Sequence, residues 1–206
     1  MRRSRGVLVL LAWACLLVPG QASAAVTSVF GGQTVSGAPI PCTAQSDGTR
    51  VCFGTYNNGP GGTDLRLKSF DGQPLAVYVT LPPAPGSGAD GPYPLILQSH
   101  GWGVAPSGPN DTQYYGPTAA AWARSGYAVV QLVARGFADS CASLQSRGAD
   151  PAGCQSGYIR LDDERYEARD AQYAAGLLVD EGVADPNRIG ATGESYGGGC
   201  RSSWPR

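Results

Sequence analysis

The chain has 206 residues, and its 15 Lys and Arg almost balance 16 Asp and Glu, for a net charge of −1. That length suits one domain, and the near-cancelled charge argues against nucleic acid or an anionic membrane surface as a partner. The 30 glycines and 16 prolines show no collagen-like period or internal repeat, so the chain reads as loop-rich and globular, with an apolar share of 42% for its core.

The N-terminus has the order of a secretory signal peptide. Arg2, Arg3 and Arg5 precede an apolar run from Val7 to Val18, then Pro19-Gly20 and the small residues Ala22-Ser23-Ala24. About twelve apolar residues fall short of the roughly 20 that span a bilayer, so residues 1–24 read as a cleaved signal and not an anchor. The expectation is a secreted protein, extracellular or periplasmic, with no membrane contact after cleavage. Cys15 lies in mid-segment behind Trp13, which speaks against a lipoprotein.

Five cysteines follow the signal. Cys42 with Cys52, and Cys141 with Cys154, are natural local pairs, each closing a short loop rich in turn residues. Loops of that size contribute ~2–3 kcal/mol in the chain-entropy model. Cys200 is left over. There is no Cys-x-x-Cys spacing and only one histidine, so neither a metal nor a cofactor is expected.

Residues 25–64, rich in Gly, Ser and Thr, read as an irregular or β-rich lead-in that carries the first disulfide. Leu65 to Phe70 alternates apolar and polar, Asp71-Gly72 makes a turn, and Leu75 to Leu81 alternates again, an antiparallel hairpin. From Tyr93 the pattern changes. Leu95-Ile96-Leu97 and Ala128 to Val133 are continuous apolar runs, the mark of strands buried on both faces. Thr118 to Arg124 is a helix candidate that stops near Gly126. Asp162 to Glu181 reads as one long helix, acidic at its start and closed by Gly182, with Tyr166, Tyr173, Ala174, Leu177 and Leu178 on one face. Asp170 interrupts that face, either as a solvated charge or as a buried carboxylate with Arg135 as its partner. Asn187 to Thr192 is a further buried strand. Strand, helix, strand, helix, strand defines a parallel sheet with crossover helices.

The last strand runs into Gly193-Glu194-Ser195-Tyr196-Gly197, followed by Gly198 and Gly199. Gly-x-Ser-x-Gly between a strand and a helix is a nucleophile elbow, in which glycines permit a sharp reversal that lifts the serine hydroxyl clear of the sheet. Ser195 is therefore the candidate nucleophile, against the alternative of an ordinary turn serine. The oxyanion of an acyl transfer needs donors: the backbone N–H of Tyr196 is one, and the loop after the first parallel strand should supply the second. That loop reads Ser99-His100-Gly101-Trp102-Gly103, which nominates the backbone N–H of Trp102. His100 is the only histidine. Its place in the oxyanion loop suits an imidazole that fixes the loop better than a general base. Glu194 adjoins Ser195 on a tight turn and so points away from any imidazole that would serve it.

These pieces together resemble the α/β-hydrolase fold, and more narrowly the X-prolyl dipeptidyl-peptidases and cocaine-esterase-like acyl esterases. The resemblance rests on Ser69 to Leu75, on Ser99 to Trp102, on Ala134-Arg135-Gly136-Phe137 with Ser140, and on Asp185 to Gly190 leading into the elbow. It covers residues 65–199 and implies the N-terminal part of a catalytic domain that cleaves a peptide or ester bond in a small substrate. It separates neither peptidase from esterase nor one oligomeric state from another. The chain departs from the family in lacking the acid, the base histidine, the helical cap and the C-terminal jelly roll. Residues 200–206 form a basic tail ending in Pro205-Arg206, the expected mark of a frameshift or premature stop, or of an incomplete sequence. The expected fold is thus a partial α/β-hydrolase: an antiparallel hairpin leading into a parallel sheet that stops just after the elbow. The expected function is that of a serine hydrolase, inactive in this form. A non-catalytic exported binding protein and a functionless fragment are the alternatives.

If residues 1–24 are a signal, N-terminal sequencing of secreted protein should read Ala25 or Val26 first. A secreted product still starting at Met1 would remove the assignment.

Overall fold

The computed structural model describes residues 25–114 and 116–202, and of residues 200–202 only the backbone. The expected signal peptide, the side chain of Cys200 and the tail 203–206 lie outside the described residues. Three strands come first: β1 (Ser28–Val29), β2 (Ile40–Ala44) and β3 (Arg50–Gly54). The small pair β4 (Leu67–Lys68) and β5 (Pro74–Leu75) precedes β6 (Val77–Leu81) and β7 (Tyr93–Ser99). Helix α1 (Ala119–Arg124) leads to β8 (Ala128–Leu132), and α2 (Leu144–Ala149) and α3 (Arg169–Asp180) lead to β9 (Ala184–Gly193) and α4 (Tyr196–Ser202).

Seven strands form one mixed sheet in the order β1-β2-β3-β6-β8-β7-β9. The first four run antiparallel to their neighbours, β6 is antiparallel to β8, and β7 is parallel to both β8 and β9. An antiparallel run thus leads into a parallel part that ends at β9, the arrangement expected from the sequence. Ala128, Val129, Val130 and Gln131 of β8 are all buried, as expected of a strand covered on both faces. The connection from β7 to β8 runs one way along the sheet, and that from β8 to β9 runs back over β7. Right-handed crossovers therefore place α1 and α3 on opposite faces, with a crevice at the carboxyl ends of β7 and β9.

The segment 25–64 is part of this sheet. Phe53 of β3 stacks on Tyr78 of β6 at 4.0 Å between ring centroids, and Val29, Phe30, Ile40 and Cys52 share one core cluster with Leu95, Leu97, Val130, Ala174 and Leu178. Disulfides join Cys42 to Cys52 across β2 and β3, and Cys141 to Cys154.

Three expectations need correction. Asn187 to Thr192 is a strand within β9 but is not buried, for Asn187 and Arg188 are exposed and residues 189–192 only partly covered. The stretch Leu75 to Leu81 is not one strand paired with residues 65–70. Only Leu67–Leu75 and Lys68–Pro74 pair there, and β6 instead lies between β3 and β8. The chain changes partners at Ala76, whose N–H donates to Ser140 Oγ while Ser140 Oγ donates to the Val133 carbonyl. Nor is Asp162 to Glu181 one helix. Leu161 and Asp162 have left-handed φ of 55° and 60°, Asp163 caps the N–H of Arg165, and a wide first turn, Glu164–Ala168, precedes α3. On α3, Ala174, Ala175 and Leu178 are buried, while Tyr173 and Leu177 are only partly covered and line an open groove.

Arg135 and Asp170 do meet. The Arg135 guanidinium is fully buried and donates from Nε and Nη2 to Asp170, at 2.6 Å each, and from Nη1 and Nη2 to Asp71, at 2.6 and 2.9 Å. Ser69 Oγ also donates to Asp170. Burial pushes the Asp170 carboxyl up, against the Arg135 bonds that favour its charge, while the carboxylates hold the Arg135 guanidinium charged.

Removing Arg135 leaves the buried Asp170 without its cation, and an uncompensated buried charge costs ~3–5 kcal/mol. Arg135→Ala should therefore lose that much in denaturant unfolding, and Asp170→Ala less, because Arg135 keeps Asp71. Asp185→Ala, which breaks the exposed pair with Arg188, should lose no more than ~1 kcal/mol. Equal losses would show that Arg135 holds nothing together.

Candidate active site

Ser195 is exposed at the carboxyl end of β9, with φ of 49°. A serine in the left-handed region is strained, and such strain persists only where the surroundings enforce it. Here close backbone approach does so. A side chain at Gly193 would collide with the Gly197 carbonyl, and a Cβ at Gly197 would lie 2.5 Å from the Ser99 carbonyl oxygen. The N–H of Gly197 donates to the Glu194 carbonyl at 2.8 Å and that of Gly198 to Ser195 at 2.9 Å, which starts α4 directly behind the serine. Gly193 and Gly197 thus hold the turn by having no side chain.

The loop after β7 lies against this turn. The position of a Cβ on Gly101 is 3.9 Å from Ser195 Cβ and 3.7 Å from the Glu194 carbonyl oxygen. Trp102 follows, its ring edge-on to Tyr196 and to Phe137 at 5.3 Å each. The structure thus brings Gly101 and Trp102 beside Ser195 and Tyr196.

His100 is buried, and both of its ring nitrogens face backbone. Nε2 accepts from the N–H of Ala134 at 2.9 Å, which assigns the proton to Nδ1, donating to the Gly101 carbonyl at 2.8 Å. Burial holds its pKa below the ordinary 6.5. The imidazole is therefore neutral and spends both nitrogens on pinning the loop after β8 to the loop after β7. Neither nitrogen is free to take a proton from Ser195. Glu194 is half-buried, and Asp170 is committed to Arg135 and Ser69.

One residue of the site carries no signal in the sequence. Glu167 is buried and binds three groups: Oε1 accepts from the N–H of Arg160 at 3.0 Å, and Oε2 accepts from the N–H of Asp162 at 2.6 Å and from Tyr196 Oη at 2.7 Å. It fixes the left-handed Leu161–Asp162 step and the phenol of Tyr196, whose pKa burial and this bond both raise. A Glu in the first turn of an acidic helix start reads as an ordinary solvated residue, so only the tertiary structure reveals it. A small cavity of about 30 Å³ lies among Ser99, His100, Glu167, Asp170 and Tyr196. Among the described residues no cluster of His, Cys, Asp and Glu could hold a metal.

No protein-family model matches the chain, and no curated protein matches it. Among solved structures, it is similar to an acetyl xylan esterase from Paenibacillus sp. R4, with 15% identity, a TM-score of 0.49, and coverage of 80% of this chain and 48% of that one. A CocE/NonD family hydrolase from Staphylococcus aureus gives 17% identity, a TM-score of 0.48, and coverage of 88% and 29%. A post-proline cleaving enzyme from Rickettsia typhi gives 18%, 0.45, and 76% and 19%. The chain spans less than half the length of each.

The single histidine makes a pH test clean. A folded-state pKa below 6.5 means that the unfolded chain binds the proton more readily. Stability is then full above pH 6.5 and falls as pH drops through that value, by at most ~1.4 kcal/mol per unit. Unfolding midpoints should decline from pH 7.5 to 5.5 in the native chain and stay flatter in His100→Gln. An equal slope in both would assign the effect to another group.

Proposed function

We propose that Ser195 is the nucleophile of an exported serine hydrolase that cleaves an ester or peptide bond in a small substrate through an acyl-enzyme. The observation that carries this reading is the exposed, left-handed Ser195 on a turn where Gly193 and Gly197 leave no room for a side chain. Its hydroxyl attacks the carbonyl carbon, and the oxyanion that forms takes hydrogen bonds from the backbone N–H groups of Tyr196 and Trp102. Removing one such donor typically costs ~3–4 kcal/mol of transition-state stabilisation. The hydroxyl proton must pass to a base, because serine at its ordinary pKa is a poor nucleophile. His100 cannot take it. The 206 residues therefore hold nucleophile and oxyanion donors without an imidazole base.

Export fits the two disulfides, which persist in oxidising compartments. No helix among the described residues is long and apolar enough to cross a membrane. The second reading, a non-catalytic binding protein on the same fold, is favoured by one observation: the sole histidine already has two backbone partners.

On the first reading, this chain should hydrolyse p-nitrophenyl esters and Xaa-Pro anilides no faster than Ser195→Ala. Added imidazole, which supplies a base, should raise the rate of the native chain above that of Ser195→Ala in the same buffer, and in that buffer a fluorophosphonate should label Ser195. No labelling and no Ser195-dependent gain would favour the binding protein. Fast unaided turnover abolished by Ser195→Ala would mean that His100 leaves its two partners.

A further inference from the structure

Beside Ser195 the surface is apolar where a soluble loop would ordinarily be polar. Trp102 is 56% exposed and Val104 45% exposed, two residues apart on the loop that touches the elbow. Val104 folds back over Gly101, its Cγ2 3.6 Å from the position of a Cβ there, and Ser195 Cβ lies 3.9 Å from the same point. Leu161, 72% exposed, lies on a neighbouring turn. Its neighbour Asp162 donates its N–H to Tyr196 Oη at 3.2 Å, and the Tyr196 ring in turn meets Trp102 and Phe137. Single exposed apolar residues are unremarkable on a protein surface. Two on the loop that touches an exposed nucleophile, with a third on the turn bonded to Tyr196, form a patch of the kind that marks a binding site.

The Trp102 ring is also held in place. It meets Phe137 and Tyr196 edge-on, with interplanar angles of 88° and 71°, and Phe137 is held in turn by the edge of His100 at 5.2 Å. Edge-to-face contact uses a ring's rim or one face and leaves surface for a further partner, and a ring already fixed loses little entropy when it is covered. The same logic explains why Leu161 keeps a left-handed φ of 55°. Glu167 clamps the N–H groups on either side of it, so the leucine is displayed and not folded inward.

We propose that Trp102, with Val104 on the same loop, is the seat for a ring-sized apolar group of the substrate, placed next to the carbonyl that Ser195 attacks. The substrate class is then an ester or amide carrying an aromatic or comparably flat, apolar substituent. A simple acetate, which leaves the seat empty, would be disfavoured. Trp102 acts here as a specificity residue through its side chain, separately from the backbone N–H assigned above. The proposal rests on Ser195 marking the reaction centre, but its test does not require turnover.

Two ketones that mimic the ester carbonyl without being cleaved make that test. The ¹⁵N-labelled chain is titrated with 2-acetonaphthone and with 2-butanone, and the spectrum is followed at the Trp102 indole N–H and the Gly101 and Ser195 amides. The naphthyl ketone should shift all three and bind at least about tenfold tighter than butanone. Trp102→Ala should weaken it by about fivefold or more, and Trp102→Phe by less, in line with one aromatic contact. Trp102 is more than half exposed, so both variants keep their core. Equal affinity for the two ketones, an effect of Trp102→Ala below twofold, or shifts confined to another surface would overturn the seat. Fluorophosphonate labelling of Ser195 in imidazole buffer reads the hydrolase assignment independently. Labelling without Trp102-dependent binding would sink this proposal alone, and Trp102-dependent binding without labelling would sink only the hydrolase.

Discussion

The site depends on one buried cation. Arg135 lies on the loop just after β8, and its guanidinium binds Asp71 from the β4–β5 hairpin and Asp170 from α3. Three segments distant in sequence are thereby fixed to one point at the carboxyl end of the sheet. A buried charge is a poor source of net stability, because desolvation offsets most of the attraction. What such a cluster can provide is position. With Arg135 fixed, Ala134 presents its N–H to His100 and Phe137 presents its ring to Trp102. The loop beside Ser195 is thus held from behind by an ion cluster that never touches the serine.

Glu167 is the second anchor and works from the other side. It bonds two backbone N–H groups and a phenol with one carboxylate. Charge-assisted bonds of this kind are stronger than neutral ones, and here they hold two successive residues in a conformation that neither prefers. The strain of Leu161, Asp162 and Ser195 gathers within one small region of the surface. Strain held by surrounding structure is common where a fold must present groups in a set geometry.

Much of this was legible in the residues and some of it was not. The elbow could be read because its glycines answer a local steric demand that shows in the sequence itself. The central strands could be read because burial on both faces leaves continuous apolar runs such as Ala128 to Val130. The partner of β6 could not: alternation says which face is buried but not which strand lies alongside, and the switch at Ala76 depends on Ser140, 64 residues later. The helix start failed for a similar reason. Asp162, Asp163 and Glu164 suit the first turn of a helix, yet the Glu167 clamp turns Asp162 away from it. Asp170 and Arg135 are recognisable as a candidate pair, while Ser69 and Asp71, which complete the cluster, read only as the end of a strand and the turn after it.

The strand order also bears on how the chain acquires its shape. β3 finds its inner neighbour only when residue 77 exists, β6 waits for residue 128, and the apolar face of β7 and β8 stays bare until α3 arrives with Ala174 and Leu178. Most of the sheet is therefore assembled from partners far apart along the chain, the kind of topology that folds slowly. β1, β2 and β3 are the exception, and Cys42 faces Cys52 across a turn of a few residues. On a growing chain that bridge can close before any of the sheet is complete, leaving a preformed ribbon on which the later strands are laid down.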